Sequence, residues 1–137
     1  MMKSYLNKIS GILLLMITAA ACNDKQPIND EKKNSSNCSY KQRWIMKDFP
    51  NTMKIFTDSL VYTVYDTDGK FGDIKDAIPN PMPVWSIGDS LYIQRRKTEI
   101  DAYKLNFQCD CQVMNLTSRD GFVVPYYREG FDVSTCQ

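Results

Sequence analysis

The residues most capable of chemistry are Cys109-Asp110-Cys111, two thiols one residue apart. On a strand, positions i and i+2 share a face. Two thiolates there could hold a soft ion such as Cu(I) or form a redox pair. Nothing adjacent completes such a site: Met114 falls on the opposite face if the strand stays regular, and the chain has no His. The lack of His removes Ser-His-Asp and Cys-His nucleophile systems and His-based zinc sites. No Gly-rich phosphate loop or Walker pattern occurs, which leaves carboxylates, Lys and Tyr for acid–base work. Asp66, Asp68, Asp73 and Asp76 gather in one stretch, but Gly69 is at position four and no Glu follows where a calcium loop needs one. That stretch reads as a turn. Arg95-Arg96-Lys97 reads as a solvated strand end, with an acidic partner or lipid headgroups as the alternative. An enzyme is therefore not expected, nor any metal or cofactor.

The remaining cysteines have an address attached. Lys3 and Lys8 precede an apolar run from Ile9 to Ile17, followed by Thr18-Ala19-Ala20-Ala21-Cys22. A basic start, a short apolar core and small residues at the cut form a secretory signal, and the run falls short of the roughly 20 residues of a membrane span. Ending directly on a cysteine, it resembles the lipobox of type II signal peptides. That resemblance implies cleavage before Cys22, acylation of its thiol with palmitate-type chains, and tethering to a bacterial envelope membrane. Ala19 departs from the bulky apolar residue usual three positions before the cysteine, so ordinary cleavage or an uncleaved anchor remain alternatives. Several acyl chains, each buried methylene contributing about 0.8 kcal/mol, make a firm anchor. The outer membrane is the expected location, facing the periplasm or the surface. Lys3 and Lys8 leave with the signal, so the net charge of +1 becomes −1 in the mature chain, and no electrostatic case for nucleic acid remains.

Three segments follow: the signal at 1–21, the lipidated Cys22 with a polar, flexible tether at 22–37, and one domain at 38–137. The tether is too poor in apolar residues to fold. In the domain, Cys38, Cys109, Cys111 and Cys136 make an even count in an oxidising compartment, so two disulfides are expected. Of the three pairings, those joining Cys109 and Cys111 each to a terminal cysteine are favoured, because strand neighbours on one face are poorly placed to bond each other.

The pattern is β almost throughout. Strands are expected over Lys41 to Lys47, Met53 to Thr57 and Leu60 to Tyr65, then a turn at Asp66–Gly69. An irregular stretch runs from Phe71 to Pro83, with room for one helical turn at 73–78. Val84–Ile87 and Ser90–Ile93 flank Gly88-Asp89 as a hairpin of type II′ preference. Tyr103, Leu105, Phe107, Cys109, Cys111 and Val113 alternate with polar residues as one long strand. A turn at Ser118–Gly121 leads into a last strand, Phe122 to Arg128, which Pro125 marks as an edge or a bulge. Seven or so strands joined by local turns predict an all-β meander closing into a barrel, with a sandwich as the alternative.

Over Gln42 to Arg128 this layout resembles the small lipocalin-like domains of bacterial lipoproteins. The resemblance rests on Arg43-Trp44-Ile45-Met46-Lys47, on the Trp85-to-Ile93 hairpin and on Arg128 near the end of the meander. Gln42 stands where the family generally has Gly. The resemblance implies Arg128 packed over Trp44 and a cavity for a small apolar ligand, lined by Trp44, Tyr62, Trp85, Tyr92, Tyr103, Leu105 and Phe107. Aromatics at strand spacing also simply fill cores. The competing expectation is a solid domain that binds or inhibits an envelope protein, with Tyr126 and Tyr127 in an exposed patch.

Overall fold

The computed structural model describes residues 38–136. The expected signal, Cys22 and the tether lie outside the described residues, as does Gln137. The described residues form nine strands: β1 (Arg43–Met46), β2 (Phe49–Phe56), β3 (Leu60–Thr67), β4 (Lys70–Phe71), β5 (Met82–Ile87), β6 (Ser90–Arg96), β7 (Glu99–Gln108), β8 (Val113–Ser118) and β9 (Val123–Arg128). Eight of them close an antiparallel barrel in the order β1-β2-β3-β5-β6-β7-β8-β9, with β9 pairing back onto β1; β4 is a short flap paired only with β3. Closure removes the edges an open sheet would expose, and, apart from the closing pair β1–β9, every barrel neighbour is also a sequence neighbour once β4 is set aside. The all-β meander barrel read from the strand pattern is the fold observed, and the sandwich is not.

The turns follow from their residues. Gly88 has φ +62° while Asp89 stays outside the left-handed region, the sign pattern of a type II′ hairpin. Asp68 and Gly69 both have positive φ, which suits the primed turn joining β3 to β4. Pro125 is neither on an edge nor at a bulge. Its strand is paired on both sides, and the β8 register runs unshifted through Asn115↔Pro125. Its carbonyl accepts from the Lys47 N–H just past the end of β1 (3.0 Å). The donor that proline lacks therefore points where β1 has already stopped.

The long strand expected from Tyr103 to Val113 breaks. β7 stops at Gln108, β8 starts at Val113, and Cys109, Asp110 and Cys111 form the turn between them with φ of +52°, +51° and +67°. Left-handed backbone costs roughly 1–2 kcal/mol per non-glycine residue, so something must hold this turn. Two disulfides do so: Cys38–Cys111 and Cys109–Cys136. Each turn cysteine pairs with a terminal one, as favoured from the sequence, but from a turn instead of a strand face.

Inside the barrel, Trp44, Phe56, Val61, Val84, Leu91, Ile93, Met114, Leu116 and Tyr126 are buried in one cluster with Tyr40. Trp44 is fully enclosed, its indole N–H donates to the Tyr40 carbonyl (2.8 Å), and the Arg128 guanidinium lies 5.3 Å from its ring centroid. Trp44 and Arg128 are direct cross-strand partners in the β1–β9 pairing. A cation over indole adds about 0.5–2 kcal/mol when shielded from water.

A second cluster lies outside the barrel. Ile45, Met53, Ile55 and Val64 are covered by Tyr62, Phe71, Ala77 and Tyr127. The proline-rich stretch thus folds back as a cover on β1–β3. Asp73 and Asp76 form a reciprocal capping box on a 3-10 turn at Ile74–Asp76. Arg43 reaches across to the Gly72 carbonyl (2.9 Å), and the Ile78 N–H donates to the Thr63 carbonyl (2.9 Å). A Cβ on Gly72 would meet Asp76 at 2.5 Å, so glycine is required there.

The disulfide between Cys38 and Cys111 spans 73 residues of sequence. In the chain-entropy account such a link contributes about 4 kcal/mol, a large share of the 5–15 kcal/mol typical of a domain. The paired variant Cys38→Ser/Cys111→Ser, which leaves no odd thiol, is expected to lose most of that amount in denaturant melts followed by circular dichroism. Non-reducing peptide maps of the parent should return the two linked peptide pairs.

Candidate functional site

Cross-strand register decides which aromatics face inward. The pairs Val84↔Ile93 and Leu91↔Tyr103 belong to the interior face, so their neighbours in the alternation, Trp85 and Tyr92, point outward. These two rings stack on the outer surface at 5.6 Å with planes 7° apart. Tyr62 also points outward, into the second cluster. Tyr62, Trp85 and Tyr92 therefore do not line the interior expected of them. Trp44, Tyr103, Leu105 and Phe107 do lie on the inner face, but Trp44 and Phe107 pack against each other (6.0 Å between centroids) as part of the fill. Tyr126 is buried inside and Tyr127 packs on the outer cluster, so the exposed pair expected beside Pro125 is not formed.

The interior is filled at the cysteine end and open at the other. A cavity of about 200 Å³ lies toward the mouth, where β6 and β8 end and β7 and β9 begin. Met46, Phe56, Val61, Met82, Ile93 and Val124 give it apolar walls, and Lys54, Arg95, Asp101, Tyr103 and Tyr126 are its polar residues. This falls below the 300–1,000 Å³ of drug-sized pockets, so any occupant is small.

The polar groups divide into a charge-paired set and a cation without a charge partner among the described residues. Arg95 forms an ion pair with Asp101, and Arg95 also donates to the Tyr103 hydroxyl (3.2 Å), which in turn donates to Asp101 (3.3 Å). Lys54 has no carboxylate within ion-pair distance among the described residues. Its ammonium donates to the Thr63 hydroxyl (2.7 Å), its cross-strand neighbour on the inner face. Burial, with the Arg95 cation nearby, pulls the Lys54 ammonium below the ordinary lysine value. Tyr126 is only 6% exposed. Burial pushes its phenol well above the ordinary tyrosine value, with neighbouring Tyr103 adding to the shift and Arg95 opposing it.

Asp101 and Arg95 carried a readable signal. The alternation Tyr103, Leu105, Phe107 places Asp101 on the buried face when continued two residues back, and Leu91, Ile93 places Arg95 there when continued forward. Lys54 lies two residues before inward Phe56, but Met53 and Ile55 give the other face equal apolar weight.

The remaining groups have local roles. Asp66 and Asp68 belong to the β3–β4 hairpin, and Asp73 and Asp76 cap the 3-10 turn. Of the basic run, Arg96 pairs with Glu99 (3.7 Å) across the β6–β7 turn. All four described cysteines are in disulfides, Cys38–Cys111 and Cys109–Cys136, so Cys109 and Cys111 do not stand as a pair of thiolates here. No protein-family model, curated protein or solved structure matches the chain.

The Tyr126 shift has a definite sign. A phenol whose folded value lies above its unfolded value of about 10 contributes stability that is present below pH 10 and lost as pH rises beyond it. The parent should therefore lose stability between pH 10 and 12 more steeply than Tyr126→Phe. The difference should be about 1.4 kcal/mol at pH 11, measured by urea melts of both proteins. Contributions from Lys54 are common to both and cancel.

Proposed function

We propose that this protein is an envelope lipoprotein, exported, cut before Cys22, acylated there and held at the outer membrane, whose barrel holds a small, largely apolar molecule at its mouth. The observation that carries the reading is the 200 Å³ cavity itself: an apolar-walled recess at one end of an otherwise filled barrel, with a few convergent polar groups. A packed domain with no binding role gains nothing from leaving Lys54 half-buried beside a void. Two structural disulfides suit the oxidising compartment that the signal implies. The Arg128–Trp44 contact across the first and last strands supports the lipocalin-like resemblance. In this reading the protein is a binding module and not an enzyme.

A second reading has its own support. Ile87 and Ile100 stand exposed on the same outer face of β5–β7 as the Trp85–Tyr92 stack. Exposed aromatic and aliphatic groups in one area suit a protein partner in the envelope, with the barrel as a rigid support.

Native mass spectrometry separates the two. The mature chain from Asn23, exported behind an ordinary signal so that it carries no lipid, should retain a small molecule that is lost on denaturation. A bare mass, together with loss of partner capture from envelope extracts on Trp85→Ala, would favour the protein-interaction reading.

A further inference from the structure

The cavity holds two cations, Lys54 and Arg95, against one carboxylate, Asp101. Asp101 is committed to Arg95 and bridged to it by Tyr103. Lys54 is left with a hydroxyl partner alone. A half-buried ammonium without a counter-charge is costly, and here the cavity beside it is where a counter-charge would fit. Tyr126 supplies an independent sign. It lines the same cavity, is 94% buried, and its hydroxyl makes no hydrogen bond to protein among the described residues. No solvent-sealed side-chain oxygen or nitrogen lacks a partner among the described residues, so this hydroxyl is the accessible tip of a buried ring, open to the cavity and free to bond an occupant.

We propose that the molecule held at the barrel mouth is a monoanion with a short apolar tail, a carboxylate in type, whose charged end is taken by the Lys54 ammonium and the Tyr126 hydroxyl. This rests on the ligand-binding reading above and names the ligand class for that site. The charge count selects a single negative charge: one excess cation is neutralised by one anion, and a second charge would face Asp101. The walls select the tail. Met46, Met82, Ile93 and Val124 are unbranched or aliphatic side chains around a recess too small for a long chain, and methionine adapts its shape to irregular occupants. Arg95 is neutralised by its pair with Asp101, which leaves the charge at Lys54, and Thr63 positions the Lys54 ammonium from the strand beside it.

The test is calorimetric titration of the mature chain from Asn23 with four six-carbon probes: hexanoate, hexanol, hexylamine and hexyl phosphate. Hexanoate should bind at least about tenfold tighter than hexanol, the range a charge-assisted hydrogen bond provides, and tighter than hexyl phosphate at pH 8, where the phosphate is largely a dianion. Hexylamine should not bind. Lys54→Met should remove the preference for hexanoate over hexanol, Lys54→Arg should keep part of it, and Tyr126→Phe should weaken hexanoate severalfold. Circular dichroism melts confirm that each variant is folded. Equal binding of hexanoate and hexanol overturns the anion assignment and leaves the cavity reading standing. Tighter binding of hexyl phosphate overturns the charge match. Binding of none of the probes overturns both.

Discussion

Everything in this molecule depends on joining the first strand to the last. β1 is four residues long and meets β9 through only three residue pairs, Trp44↔Arg128, Ile45↔Tyr127 and Met46↔Tyr126. Without that contact the sheet is open, with two unprotected edges and a core exposed along one seam. The chain reinforces the seam from every side. Trp44 is buried on the inner face, fastened to the Tyr40 carbonyl and covered by Arg128. Ile45 and Tyr127 meet on the outer face beneath the flap. The two disulfides then tie residues just before β1 and just after β9 to a single turn, at Cys109 and Cys111. The left-handed backbone of that turn is the local cost of placing two cysteines where both chain ends can reach them.

Fastening one end so heavily frees the other. The cysteine end contains Tyr40, Trp44, Phe56 and Phe107 in edge-on or tilted contact, the arrangement favoured by aromatic quadrupoles. Toward the mouth the inner face changes character along the same strands: Phe56 gives way to Lys54, Ile93 to Arg95, and Tyr103 to Asp101. The aromatic packing and the disulfides thereby lie at one end of the barrel and the cavity at the other. The outer cover on β1–β3 contributes to stability, since it buries a face that a meander would otherwise leave wet.

Much of the fold was legible because closure leaves a period-two trace. Gly88-Asp89, the run of short strands and the pairing of inner cysteines with terminal ones could all be read from residue type and spacing. Other features were not, for physical reasons. Cys109 and Cys111 continue the alternation of Phe107 and Val113, and no Gly or Pro marks the break; a covalent constraint, invisible to local propensity, makes it a turn. Trp85 and Tyr92 alternate as well as Val84 and Ile93 do, so periodicity separates two faces without saying which one is inside. Pro125 forbids a donor, but only the third dimension shows that the missing donor falls beyond the end of β1. Lys54 was hidden because a charge is ordinarily read as solvent-facing, and only its register opposite Thr63 turns it inward.

The barrel mouth holds a half-buried cation, Lys54, with no carboxylate within ion-pair distance among the described residues. The most direct measurement is an NMR titration of the lysine side chains with 13C-labelled lysine, with the Lys54 signal assigned by its absence in a substituted protein. Lys54 should titrate with a midpoint below those of the exposed lysines, because burial and the Arg95 charge both disfavour its ammonium. A midpoint equal to or above theirs would contradict this placement, since the ammonium would then be in water or already paired with a carboxylate.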